Sequence, residues 1–106
     1  MVRVVITQSA ARDIQAAYDW WSEHRSKEQA NRWYLEIFER IASLKESATR
    51  YPAIQEEGLR ELGLRQLLFG IGRRPTHRII LAINDQQVTV LRVRHVAQQD
   101  LESDEF

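Results

Sequence analysis

Between Ala30 and Leu44 the chain carries apolar side chains at Ala30, Trp33, Tyr34, Ile37, Phe38, Ile41 and Leu44, at spacings of 3, 1, 3, 1, 3 and 3. Only a helix of 3.6 residues per turn gathers such a set on one side, so this segment must bury one wall against something else. Ser26 and Gln29 stand three residues apart just upstream, the spacing of a capping box that starts a helix. A second stripe precedes it: Ala10, Ile14, Ala17 and Trp21, at spacings of four, three and four, with Tyr18 widening it. Ser9 is the expected N-cap of that first helix, with Asp13 in its first turn, and Glu23 to Arg25 its expected end. The connection is short, so the two helices are expected to form an antiparallel hairpin. Tyr51-Pro52 ends the second, because proline restricts the residue before it and cannot extend the hydrogen-bond ladder.

A helical hairpin with one apolar wall needs a second layer, and the remaining sequence supplies β-type runs. Residues 2–7 are apolar and β-branched, and Leu62 to Phe69 form another such run. Gly70, Gly72 and Pro75 mark a turn into Arg78–Asn84, and Asp85-Gln86-Gln87 a second turn into Val88–His95. Residues 52–58 read as a loop. The order is β-α-α-β-β-β, an α+β fold with the helical hairpin on one face of a small, mostly antiparallel sheet. Strict alternation sets Ile79, Leu81 and Ile83 against Arg78, Ile80 and Ala82 in the third strand. In the fourth it sets Thr89, Leu91, Val93 and His95 against Val88, Val90, Arg92 and Arg94. Arg78, Arg92 and Arg94 are expected on the open face, Arg65 beside them, and His95 at the edge of the buried face.

With 106 residues, 43% of them apolar, the chain supports one modest core. Residues 1–97 are expected to be that single domain, and 98–106 an acidic tail. There is no cysteine, which removes disulfides and thiolate metal sites and suits a reducing cytoplasm. Val2–Thr7 is too short for a signal peptide, and no segment approaches the roughly 18 apolar residues of a membrane span. The zero net charge conceals segregation. Residues 1–58 hold eight cations against nine carboxylates, residues 59–95 seven arginines against Glu61 and Asp85, and the tail Asp100, Glu102, Asp104 and Glu105. Every cation of the middle block is arginine, whose planar fork grips phosphate or carboxylate, so this block reads as a recognition surface. The plainer reading is a sheet face kept soluble by arginines.

Several familiar chemistries are excluded. Gly70-x-Gly72 lies between strands and not before a helix, so it is a hairpin loop and not a nucleotide cradle. His24, His77 and His95 are scattered along the sequence, and no metal-ligand spacing occurs, so neither metal nor cofactor is expected. No serine stands on a strand-to-helix elbow. Trp20, Trp21 and Trp33 lie on or beside helical stripes and read as core or rim packing. His95 has the chemistry of a general acid or base, but a lone histidine ending an apolar strand is more often a hydrogen-bonded structural residue. Arg73 and Arg74 are adjacent in a loop and either contact phosphate or are merely solvated.

Taken together these segments resemble the RelE/ParE superfamily of toxins from bacterial type II toxin–antitoxin modules, the plasmid-stabilisation type. The likeness runs through Val4-Val5-Ile6-Thr7, Ala10/Ala11-x-Asp13-Ile14, the stripe from Ala30 to Leu44 and the Tyr51-Pro52 helix exit. It continues through Leu64-Arg65, Arg78-Ile79-Ile80, and Val90-Leu91-Arg92-Val93-Arg94-His95 followed by Asp100. The resemblance implies a cytoplasmic growth inhibitor neutralised by a small antitoxin protein in a hetero-oligomer. RelE-like members cleave messenger RNA in the ribosome without metal, through basic residues that orient the 2′-hydroxyl and stabilise the developing charge on phosphorus. ParE-like members inhibit DNA gyrase.

For the nuclease alternative the candidates are Arg65, Arg78, Arg94 and His95. For binding a target or nucleic acid they are Arg65, Arg73, Arg74, Arg78, Arg92 and Arg94. After His95, however, come Val96-Ala97-Gln98-Gln99-Asp100, glutamines where RelE-like chains place arginines, and no tyrosine follows. The acidic tail would also repel the phosphate backbone that supplies most affinity for RNA. The sequence therefore resembles ParE more than RelE, with gyrase the implied target. The other two readings are the ribosome-dependent endoribonuclease and an inactive toxin-fold binding module or autorepressor.

Overall fold

The computed structural model describes residues 2–97. Its elements are β1 (Arg3–Ile6), α1 (Gln8–His24), α2 (Lys27–Ala42), a further helical turn (Leu44–Ser47), β2 (Arg65–Phe69), β3 (His77–Ile83) and β4 (Gln87–His95). The sheet order is β1-β4-β3-β2, with β1 parallel to β4 and the other pairs antiparallel. Helices lie on one face, so the α+β hairpin-on-sheet architecture is the one the periodicities require.

Capping decides the helix boundaries. α1 starts two residues before the expected Ala10, because Thr7 and not Ser9 is the N-cap: its backbone is still extended and its Oγ1 accepts from the Ala10 amide at 3.1 Å. The Thr7 hydroxyl also donates to the Leu91 carbonyl at 3.0 Å, welding the start of α1 to the sheet. Asp13 consequently sits beyond the first turn. Ser26 caps α2 through the Gln29 amide as the capping-box spacing requires. Trp33, Ile37, Ile41 and Leu44 lie in the main core with Ala10, Ile14, Leu67, Phe69, Ile79, Leu81, Val88, Val90 and Val93.

α2 itself ends at Ala42, nine residues before the expected Tyr51-Pro52 exit, and the chain reaches that proline through separate short helical turns at Leu44–Ser47 and Ala48–Arg50. Two further sequence expectations are corrected. Strict alternation in β4 places Val88 and Val90 on the same face as Arg92 and Arg94, yet both valines are buried in the helix-side core. The cause is a register shift: Leu81 pairs with Val90 and Ile80 with Arg92, so Leu91 is an extra residue, a β-bulge. The bulge flips the sidedness of everything after it. Val93 and His95 therefore share the helix side with Val88 and Val90, while Arg92 and Arg94 oppose Ile80 and Arg78 on the other side.

The second correction concerns residues 52–58 and the open face. Ile54 N donates to Leu64 O at 2.8 Å and Gln66 N to Pro52 O at 3.1 Å, so this stretch pairs along β2 before crossing the sheet. Ile54, Leu59 and Leu64 then roof Ile80, with Ala82 and Leu91 against them, in a second small core. β2 begins at Arg65 rather than Leu62, because Gly63 takes a left-handed conformation (φ 66°) that interrupts the run. The face expected to be open is thus half covered.

Candidate functional site

The arginines predicted as a cationic sheet face are mostly engaged in holding the fold. Arg65 lies on β2, separated from β4 by the whole of β3, and its Nη1 donates to the Tyr51 and Thr49 carbonyls at 2.6 and 3.5 Å. It ties the helix exit, where terminal carbonyls lack intrahelical partners, to the sheet. Arg78 does occupy the predicted face. There it donates Nε–H to Gln66 at 2.9 Å and forms a mostly buried ion pair with Glu56, which arrives on the roofing segment. Arg92 forks onto Asp13 of α1, Nε to Oδ2 at 2.7 Å and Nη2 to Oδ1 at 3.1 Å. Arg94 stands opposite Arg78 in the β3–β4 register and is half-buried. Arg73 and Arg74 are exposed in the loop between β2 and β3, away from this group.

That loop is shaped by Gly70, where a Cβ would stand 2.6 Å from the Arg74 carbonyl oxygen, so the chain can close back on itself only without a side chain. Thr76 N returns to Phe69 O at 2.9 Å, and Arg32 of α2 donates to Ile71 O at 3.1 Å. The loop is therefore pinned at both ends of the hairpin, leaving its two arginines outward.

Two histidines the sequence shows as distant are neighbours in space. His77 pairs with His95 across β3 and β4, their rings 5.2 Å apart and edge to face. A hairpin folding back around Asp85–Gln86 without a bulge would set His77 opposite Arg94; the extra Leu91 moves it to His95. The turn position carried that signal to within one residue, and only the bulge fixed it. His77 is buried beneath the Trp33 ring at 5.0 Å, and its Nδ1 lies 2.7 Å from Thr76 Oγ1. Burial, and secondarily the charge of His95, lower its pKa to about 4. His95 is exposed, and its Nδ1 accepts from the Ala97 amide at 3.0 Å. Among the described residues no group of three or more histidines, acids or cysteines converges as a metal site.

These histidines form one end of a groove of about 630 Å³ between α1 and the edge of β4. Beyond Val90 no described strand pairs with that edge, because β1 stops at Ile6. The wall is α1, from Asp13 through Ala16, Ala17, Trp20 and Trp21, with Arg25 just past its end, and the floor is Arg92 to His95, with Ala97 also in the lining. Asp13 stitches wall to floor, since its Oδ2 also accepts the Val93 amide at 2.9 Å. Trp20 is 46% exposed at the rim, stacked on His24 with centroids 5.0 Å apart and with the Arg25 guanidinium 5.6 Å from its ring. An indole held rigid by two neighbours and left half in water is the kind of side chain that anchors protein partners. Sequence reading placed the tryptophans in core or rim; the structure assigns Trp33 to the core and Trp20 to the rim.

The nuclease candidates do not assemble into one cluster. Arg78 and Arg94 are cross-strand neighbours on one face, His95 points to the other, and Arg65 lies two strands away.

Comparison with known proteins agrees with this architecture. The family model for the ParE toxin of the type II toxin–antitoxin system parDE matches residues 4–100. A solved structure described as the chromosomal ParDE toxin–antitoxin system from P. aeruginosa superposes with a TM-score of 0.71 at 21% identity, covering 91% of this chain and 97% of that one. No curated relative matches the chain. With the match spanning both helices and all four strands, the chain belongs to the ParE toxins of type II toxin–antitoxin systems.

Proposed function

We propose that this toxin inhibits growth by binding a macromolecular target, DNA gyrase, and that a cognate antitoxin neutralises it by occupying the groove between α1 and β4. The observation that carries the reading is the engagement of the arginines. Arg65, Arg78 and Arg92 are bound to backbone carbonyls, to Glu56 and to Asp13. A phosphoryl-transfer site needs cations aimed together at one developing charge, and these are directed to separate partners. A mainly apolar groove rimmed by Trp20 and by arginines instead has the make-up of a protein-binding surface, with an aromatic anchor and a polar edge.

The antitoxin reading follows from family membership together with this groove. A strand edge beside an apolar helix wall accepts an extended or helical segment that folds as it binds. The hetero-oligomer and the bacterial cytoplasm as its location belong to the same proposal. Among the described residues no helix is long and apolar enough to cross a membrane.

The test is direct. Purified toxin added to gyrase with relaxed plasmid should block supercoiling or accumulate cleaved DNA, and equimolar antitoxin should restore the reaction. Cleaved transcripts after induced expression, with supercoiling unaffected, would return the case to the ribosome-dependent endoribonuclease. Absence of both effects would leave the binding-module reading.

A further inference from the structure

We infer that the loop between β2 and β3, residues 70–76, is the surface by which the toxin meets its target, and that it fits an acidic patch on a protein. This rests on the reading that the toxin acts by binding a macromolecular target, and adds which residues make the contact.

The cations of the basic block fall into two groups. Arg65, Arg78, Arg92 and Arg94 are all engaged within the chain, and Arg60 stands beside Glu61 in a short helical turn. Arg73 and Arg74 are adjacent and exposed, and among the described residues neither makes a hydrogen bond or ion pair. The charge that folding leaves unspent is therefore concentrated on this loop.

The loop is also held in shape. A Cβ on Gly70 would stand 2.6 Å from the Arg74 carbonyl oxygen and 3.1 Å from Pro75 Cα, so its two limbs touch where only glycine allows it. At the base Thr76 N donates to Phe69 O at 2.9 Å, and on the flank Arg32 Nη2 donates to Ile71 O at 3.1 Å. The Ile71 side chain packs against the main core. Pro75 fixes its own φ and restricts Arg74 before it. The backbone that carries both guanidiniums is thus set before a partner arrives, and binding has mainly side chains left to order.

Composition favours protein over nucleic acid. The loop, Gly-Ile-Gly-Arg-Arg-Pro-Thr, has no aromatic ring on which a base could stack. Its two cations would neutralise only two phosphates, and affinity for a nucleic-acid backbone grows with that number. Leu68, two residues before the loop and opposite Arg78 on the sheet face away from the helices, is 48% exposed. An exposed leucine beside two forks that grip carboxylates suits a protein surface carrying Asp or Glu. Thr76 and His77, at the foot of the loop, also line one end of the groove, whereas Arg73 and Arg74 do not. Target and groove-bound partner therefore meet adjacent but different residues.

The experiment compares the full-length wild type with Arg73→Ala/Arg74→Ala and Arg73→Glu/Arg74→Glu. Growth arrest on induction and binding of purified toxin to gyrase in the absence of DNA are both measured. A control, Lys45→Glu/Arg50→Glu, makes the same change in net charge as the glutamate pair, at exposed positions after α2. All four proteins should melt within about 2 °C of one another, because every altered side chain is exposed. The alanine pair should relieve growth arrest and weaken gyrase binding at least about tenfold, the glutamate pair more so, and the control should do neither. Full growth arrest by the glutamate pair overturns the inference. So does a loss in the control equal to that in the glutamate pair, which assigns the effect to net charge. Binding to duplex DNA alone that depends on the two arginines, with none to the DNA-free enzyme, gives the loop to nucleic acid and overturns the protein partner. If the wild type arrests growth without binding gyrase, gyrase is refuted as the target, and growth arrest by the variants decides the loop. A wild type that arrests nothing overturns both readings.

Discussion

Asp13 of α1 accepts two hydrogen bonds from the Arg92 guanidinium and a third from the Val93 amide, at 2.7, 3.1 and 2.9 Å. One carboxylate thus takes up the Val93 amide on the edge of β4 beyond the point where β1 has ended, and fixes the floor of the groove to its wall. Charge-assisted bonds in a site that is mostly shielded are worth more than surface pairs. Asp13→Ala should lower unfolding stability by about 2–3 kcal/mol. Asp13→Asn, which keeps an acceptor, should cost less. Chemical denaturation of the three proteins checks both the size and the order.

Arg78 and the loop pair Arg73–Arg74 should behave oppositely. The Arg78–Glu56 pair has side-chain exposures of 15% and 20%, so Arg78→Ala removes a shielded interaction and should cost about 2–3 kcal/mol. The double change Arg73→Ala/Arg74→Ala touches exposed side chains and should alter stability by no more than about 0.5 kcal/mol. Any loss of toxicity in Arg78→Ala should therefore track its melting temperature, whereas a loss in the loop variant would identify target contact. Melting curves beside a growth assay separate the two.

His77 gives the fold a pH dependence whose sign follows from burial. Its folded pKa is lowered from 6.5 to about 4, so between those values the unfolded chain binds the proton and the folded chain does not. The contribution is fully present above pH 6.5 and is lost as pH falls toward 4. A shift of that size corresponds to about 3 kcal/mol at most. Stability measured from pH 7 to pH 4 should fall, and His77→Phe should flatten the decline within this window. An unchanged slope in the variant would sink the assignment.

Trp20 should matter to binding far more than to folding. Its ring is half exposed and touches chiefly His24, Trp21 and Arg25. Trp20→Ala should cost less than about 1 kcal/mol of stability but weaken antitoxin binding at least tenfold, as loss of an aromatic anchor does. Calorimetric titration beside a melting curve would measure both. Equal affinity in the two proteins would place the antitoxin elsewhere.

Local sequence signals determined the helical hairpin, the Ser26 cap and three of the four strand positions to within a residue or two, and the short motifs carried the family likeness. These are local properties, because a 3.6-residue stripe or a cap acts over a few residues. The end of α2 at Ala42, by contrast, fell short of the expected Tyr51-Pro52 exit. Alternation placed Arg78 correctly on the face away from the helices. What it could not supply was anything resting on contacts distant in sequence. The extra residue at Leu91 changes which face Val88 and Val90 occupy, and a bulge is invisible to a two-residue period. The roof made by Ile54, Leu59 and Leu64 depends on a segment too irregular to show any period. The expected acidic tail, residues 98–106, lies outside the described residues. Above all, the basic block read along the chain as one cationic surface. Only the tertiary structure decided that Glu56 from a crossing loop and Asp13 from α1 would meet Arg78 and Arg92, because a charge's partner is set by where the chain returns and not by its neighbours in sequence.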